Sequence, residues 1–238
     1  MSAKSYTQMI RKIDRTPEEA KNYYVAAMGE DLGKVFYALW QEVGWLHNEW
    51  DEYLQLFGTK ESRIRLMNDA APRFFRMIQD ELVDAIVLRI ARLTDPPKSI
   101  GKSNLTIRQL PTQIKDQSFS NQVLNLVKAA VAAAGACRAR RHRRIAHNAL
   151  DLSLGVQTDP LPDLTRENIT AAIVSLAEVV NAVSFHYVNS TTKFGLGNTS
   201  GGARALIRIL EEGVQKKSER ITEMKRNAKN WNVPPSGQ

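Results

Sequence analysis

Residues 138–151, RARRHRRIAHNALD, hold five arginines (Arg138, Arg140, Arg141, Arg143, Arg144) and two histidines (His142, His147) before the first carboxylate, Asp151. Arginine offers paired donors to phosphate oxygens and keeps its charge at any ordinary pH. Histidine exchanges a proton near neutrality. Cutting RNA without a metal needs a base for the ribose 2′-hydroxyl, a cation for the phosphoryl oxygens and an acid for the leaving oxygen. The segment contains the residue types for all three jobs, with His142 as a second proton carrier beside His147.

Spacing constrains which side chains act together. Each residue of an ideal helix turns about 100°, which sets Arg140 about 20° from His147, Arg143 about 40° and Arg141 about 120°. An α-helical wheel therefore groups Arg140, Arg143 and His147. Two readings stay open at this level. The arginines form an anion site, or they are a solvated helix end that stabilises the negative pole of the helix, with His147 a satisfied interior histidine.

The elements that must position this segment read as helix after helix. TPEEA gives a first helix over 17–28, with Thr16 as N-cap, Pro17 at the first helical position and Gly29 as the stop. A second helix spans 31–57, capped by Asp31, with Leu32, Phe36, Leu39, Val43, Leu46 and Trp50 on one apolar stripe. Helical pattern continues over 61–94 and breaks at Pro72. TDPPKSIGKSN is a loop, and LTIRQLPTQI a short helix. Ser120 is the expected cap of one long helix over 121–150, and no acidic side chain occurs from 117 to 150. Its charge must meet a distant carboxylate, water or an external anion. Thr165 starts a helix to about 188, and a last helix covers 203–228, led by Thr199 or Ser200. GLGNTSGG has the glycines of a phosphate loop but lacks the lysine and the preceding strand, and is read as a linker.

Other charged residues are assigned to structure. Asp84, Arg89, Arg92 and Asp95 are expected to form ion pairs, with contact to the arginine cluster across the bundle as the alternative. His47 and His186 are expected in packing roles.

The chain has 238 residues, 43% hydrophobic and 24% charged, which excludes wholesale disorder. A net charge of +8 favours acidic partners, nucleic acid first and an anionic membrane surface second. The single cysteine, Cys137, forms no intramolecular disulfide and no Cys-based zinc site; it is expected as a buried small hydrophobe in a reducing, cytoplasmic setting. The N-terminus has no apolar signal core and no run reaches 18 uninterrupted apolar residues, so no span across a bilayer is expected, and of the two acidic partners RNA is chosen over the membrane. Four scattered histidines give no ligand spacing, so neither a metal nor a cofactor is expected.

ARRHRRIAHNALD resembles the signature of the HEPN superfamily, an arginine followed by a polar residue and, four to six positions on, a histidine often within AH. Here Arg141 precedes His142, and five residues separate Arg141 from His147. YALWQEVGWLHNEWDEYLQLFG, APRFF, ELVDAIVLRIARLTDPP, NLTIRQL and GGARALIRILEEGV extend the resemblance over about 31–215, to the abortive-infection, AbiU-type branch. The resemblance implies an all-α, multi-helix up-and-down bundle of HEPN type that forms a homodimer. Together with the helix signals it sets the expected division of the chain: a helical extension over 1–30, a HEPN-like domain over 31–228 and, from the composition of NVPPSGQ, a flexible tail over 229–238. Active relatives are metal-independent endoribonucleases of toxin–antitoxin or phage-defence systems; others are inactive scaffolds. By carry-over Arg141 and His147 are the catalytic candidates, joined by His142, which stands where many members carry Asn. Arg138, Arg140, Arg143 and Arg144 are then the residues that hold the RNA backbone. The carry-over and the helical wheel choose different arginines; a dimer or a local helix distortion reconciles them. The alternative is a non-catalytic binding or scaffold subunit, with an antitoxin or other defence component as partner.

Overall fold

The structure is a computed structural model and describes residues 15–58, 60–99, 101–146, 163–195 and 201–231. The chain is all-α, as the periodicity predicts. The helices are α1 (Pro17–Met28), α2 (Glu30–Tyr53), α3 (Glu61–Ala70), α4 (Pro72–Thr94), α5 (Leu110–Gln113), α6 (Gln117–Ala133), α7 (Gly135–Arg140), α8 (Arg166–Val188) and α9 (Ala203–Trp231). The 95–106 loop adds one two-residue antiparallel ladder, β1 (Lys98–Ser99) with β2 (Lys102–Ser103), registered Lys98 to Ser103.

Several starts and stops follow the sequence signals. Thr16 accepts the Glu19 N–H while Glu19 reaches back to the Thr16 N–H at 2.8 Å, a complete capping box, and Pro17 opens α1. Thr165 caps α8 in the same reciprocal way with Asn168. Pro72 opens α4 rather than kinking a longer helix, because its missing N–H is harmless at a helix start.

Three expected boundaries are corrected. α2 starts at Glu30, one residue before Asp31, and widens to a π-helical turn over Leu54–Gly58. Asp116, not Ser120, caps α6: its carboxylate accepts the Phe119 N–H at 3.0 Å. Ser120 instead donates its hydroxyl to the Pro111 carbonyl at 2.8 Å, tying α6 to α5. The single helix expected over 121–150 ends at Ala133 and resumes at Gly135 as α7, since glycine is a weak helix former. The proposed caps Thr199 and Ser200 lie outside the described residues.

The chain divides into two compact units. The first contains α1, the start of α2, the end of α4, α5, α6 and α8. Its centre is α8 against α6, with Ile173, Leu176, Val179 and Val180 of α8 and Val123, Val127 and Ala130 of α6 all buried. Each fully buried valine, leucine or isoleucine here contributes about 1.5–3 kcal/mol of transfer free energy. α8 is long and apolar enough by composition to cross a membrane; its Ile169, Ile173, Leu176, Val179, Val180 and Val183 are buried in this unit's core, while Val174 and Phe185 are exposed. Tyr24 of α1 packs on Phe36 of α2, with ring centres 4.8 Å apart. Buried Thr106 donates its hydroxyl towards the carbonyls of Leu93 (2.9 Å) and Asp95 (2.8 Å), closing the end of α4.

The second unit contains the rest of α2, α3, most of α4, α7 and α9. Leu56, Met67, Phe75, Ala203 and Ile207 form one apolar cluster, flanked by Phe57, Ile64 and Leu210. It joins the π-helical turn after α2, the helices α3 and α4, and the first two turns of α9.

Candidate nucleic-acid interface

The arginine segment belongs to the second unit and is shaped by α7. Cys137 anchors α7 as a fully buried side chain. Burial pushes its thiol up to about 11, so at neutral pH it is a protonated, inert packing group, as its Ala-rich setting predicts. Arg140, three residues on, lies on the same side of the helix and pairs with Asp84 of α4: Nε and Nη2 both stand 3.3 Å from Oδ1. The alternative raised for Asp84, contact with the arginine cluster, is therefore the one realised.

From Arg141 to Ala146 the helix changes from α to π. Arginines three and four apart repel one another in an α-helix. The sequence places Arg138, Arg141 and Arg144 three apart in succession, and sets Arg140 three and four residues before Arg143 and Arg144. A π turn, bonded i to i+5, widens them, and such turns recur at functional sites. The α-helical wheel that grouped Arg140 and Arg143 with His147 assumed a uniform 100° step, which the chain does not keep from Arg141 to Ala146. Arg138, Arg140, Arg141 and Arg143 are partly buried and His142 is exposed. The Arg144 side chain, His147 and Asp151 lie outside the described residues.

Other charged side chains are held within their own units. Arg89 of α4 grips Glu49 of α2 with two parallel bonds, Nε to Oε2 at 3.0 Å and Nη2 to Oε1 at 2.8 Å. Glu49 was not expected from sequence, because nothing local distinguishes a carboxylate that will face a helix 40 residues away. The same holds for Glu52, whose carboxylate accepts the Ala203 N–H. Asp95 meets Arg92 through the backbone, its N–H donating to the Arg92 carbonyl at 3.3 Å. His47 stacks on Phe194 at 5.1 Å and His186 on Phe119 at 3.7 Å between ring centres, which are packing roles as expected. Among the described residues no three or more His, Cys, Asp or Glu side chains converge to hold a metal ion.

The AbiU2 family matches residues 29–206, about three-quarters of the chain. The chain belongs to this AbiU2 family of HEPN domains, the abortive-infection type. No curated protein and no solved structure matches it.

Proposed function

We propose that the chain binds RNA through residues 138–147 and cleaves it without a metal, as part of a phage-defence or toxin–antitoxin response in the cytoplasm. The observation that carries this is the acid-free run from 117 to 150, whose arginines meet a π-helical turn that begins at Arg141 in a HEPN domain. In this reading His147 takes the proton of a ribose 2′-hydroxyl. The 2′-oxygen attacks phosphorus while Arg141 pairs with the non-bridging oxygens as their charge builds. The bond from phosphorus to the 5′-oxygen breaks, and that oxygen takes a proton from a second imidazolium, His142 or His147 of the other subunit in a homodimer. The products are a 2′,3′-cyclic phosphate and a 5′-hydroxyl. Acid–base assistance of this kind contributes about 10²–10⁴ in rate. Arg138, Arg143 and Arg144, with Arg140, hold the RNA backbone.

The test is incubation of wild type, Arg141→Ala and His147→Ala with labelled mixed RNA in EDTA, followed by analysis of product ends. Cyclic-phosphate ends from wild type alone support the reading. Cleavage unchanged in both variants overturns it.

One observation favours a second reading, the non-catalytic scaffold: Asp84 already neutralises part of the basic segment through Arg140. That reading expects salt-sensitive RNA binding by all three proteins and no cleavage, with an antitoxin or other defence component as the functional partner.

A further inference from the structure

Two arginine–carboxylate pairs in the second unit differ in kind. Arg89 and Glu49 meet fork to fork, each oxygen taking one N–H, at 3.0 and 2.8 Å. Charged N–H···O bonds of full strength run to about 2.7–2.9 Å. Arg140 and Asp84, at 3.3 Å, lie farther beyond that range than the longer Arg89–Glu49 bond does, and both guanidinium nitrogens share the single oxygen Oδ1. The two-pronged geometry that arginine favours is thus left unmade. Neither side chain is sealed from solvent: Arg140 keeps 24% and Asp84 37% of its side-chain surface exposed. A pair this loose and open contributes little to stability.

Arg140 also occupies a particular place. It is the last residue of α7, and the π turn begins at the next residue, Arg141. A phosphate arriving at the basic segment can offer Arg140 what Asp84 does not, two oxygens at once. We infer that Asp84 is an exchangeable stand-in for a nucleic-acid phosphate: it holds Arg140 in the RNA-free protein and yields it when RNA binds. The inference rests on the RNA-binding reading above and extends it to a residue of α4, 56 positions from Arg140. Asp84 then lowers affinity for polyanions, and the Glu49–Arg89 clamp, tight and two-pronged, takes no part.

The experiment measures RNA affinity by fluorescence anisotropy at fixed salt, with a labelled mixed-sequence single-stranded RNA. Proteins compared are wild type, Asp84→Asn, Asp84→Glu, Arg140→Ala and the Asp84→Asn/Arg140→Ala double variant. Asparagine keeps the shape and an acceptor oxygen, so Arg140 stays tethered while the competing charge is gone; circular dichroism verifies the fold. Asp84→Asn is expected to tighten binding roughly twofold to fivefold, the range of an exposed pair. Asp84→Glu, which keeps the charge, is expected to stay near wild type. The gain is expected to vanish in the Arg140→Ala background. Unchanged or weaker binding by Asp84→Asn overturns the inference. So does a gain that persists without Arg140, which would be a general charge effect, or an equal gain in Asp84→Glu. Wild type that binds RNA while the Asn variant fails these expectations sinks only the exchange. Absence of RNA binding by both sinks the RNA reading with it.

Discussion

The carboxylate of Glu52, at the end of α2, accepts the backbone N–H of Ala203, the first residue of α9 and 151 positions later. A helix start carries unpaired N–H groups and partial positive charge, so a carboxylate there caps the helix from a distance. Gly202 makes room for it, because a Cβ at that position would overlap the Glu52 carboxylate. Glu52→Ala and Gly202→Ala are each expected to cost about 1 kcal/mol, the usual worth of a cap. The overlapping atoms are the far end of a flexible side chain, so the alanine displaces Glu52 rather than the backbone. The two changes should then be less than additive in urea titrations of both single variants and the double variant. Full additivity would show that Gly202 acts through something other than this cap.

Gly33→Ala is expected to cost more. Its Cβ would lie 2.5 Å from the Val25 Cα and 2.8 Å from the Tyr24 carbonyl, both backbone atoms that cannot step aside. Overpacking of this kind costs about 1–3 kcal/mol. It should also loosen the contact of Tyr24 with Phe36 and Trp40. Thermal melts together with near-ultraviolet circular dichroism would detect both effects, and a wild-type melting temperature would refute the close approach of α1 and α2.

Asn181 ties the chain leaving α8 back onto the first unit. Its Oδ1 accepts the Thr192 N–H at 2.8 Å and its Nδ2 donates to the Thr192 carbonyl at 3.1 Å. The Thr192 hydroxyl in turn accepts the Trp40 indole N–H at 2.8 Å. Asn181→Ala leaves partly buried groups unpaired and is expected to cost about 1–3 kcal/mol. Tryptophan emission should shift as Trp40 loses its fixed partner. An unchanged spectrum and unchanged stability would place this knot outside the folding energetics.

Cys137 predicts a pH dependence. Burial raises its thiol from 9.0 to about 11 in the folded chain. Between those values the unfolded chain has lost the thiol proton and the folded chain still holds it, so stability falls as pH rises. Below about 9 the contribution is fully present. Urea midpoints at pH 8 and pH 10.5 should therefore diverge less in Cys137→Ala than in wild type, and equal divergence would contradict the buried thiol.

Phosphate contacts predict a salt response. If Arg143 meets one phosphate of single-stranded RNA, Arg143→Ala should weaken binding without regard to sequence. It should also flatten the slope of log affinity against log salt by about 0.7. A variant that changes sequence preference but not the slope would assign Arg143 to base contact instead.

Much of this was legible in the chain itself. Thr16, Pro17 and Thr165 mark helix starts through bonds made within three residues, and Pro72 marks a break through its own covalent ring. The apolar stripe from Leu32 to Trp50 follows from local periodicity, and the burial of Cys137 from its Ala-rich neighbours. The ordered segments from residue 31 onward point to the AbiU-type HEPN class that the family match over 29–206 establishes. The arginine run and the absence of acids from 117 to 150 are plain facts of composition.

Tertiary structure decided which charges meet. Asp84 reaches Arg140 across 56 positions, Glu49 reaches Arg89 across 40, and Glu52 reaches Ala203 across 151. It also decided that the expected long helix splits at Ala134 and widens at Arg141, a departure from the uniform step that the helical angles had assumed. The reason is range. Caps, prolines and hydrophobic periods act over one or two turns and are written into neighbouring residues. A carboxylate's partner depends on how helices pack, and packing is set by apolar faces that carry no record of which charges they will bring together.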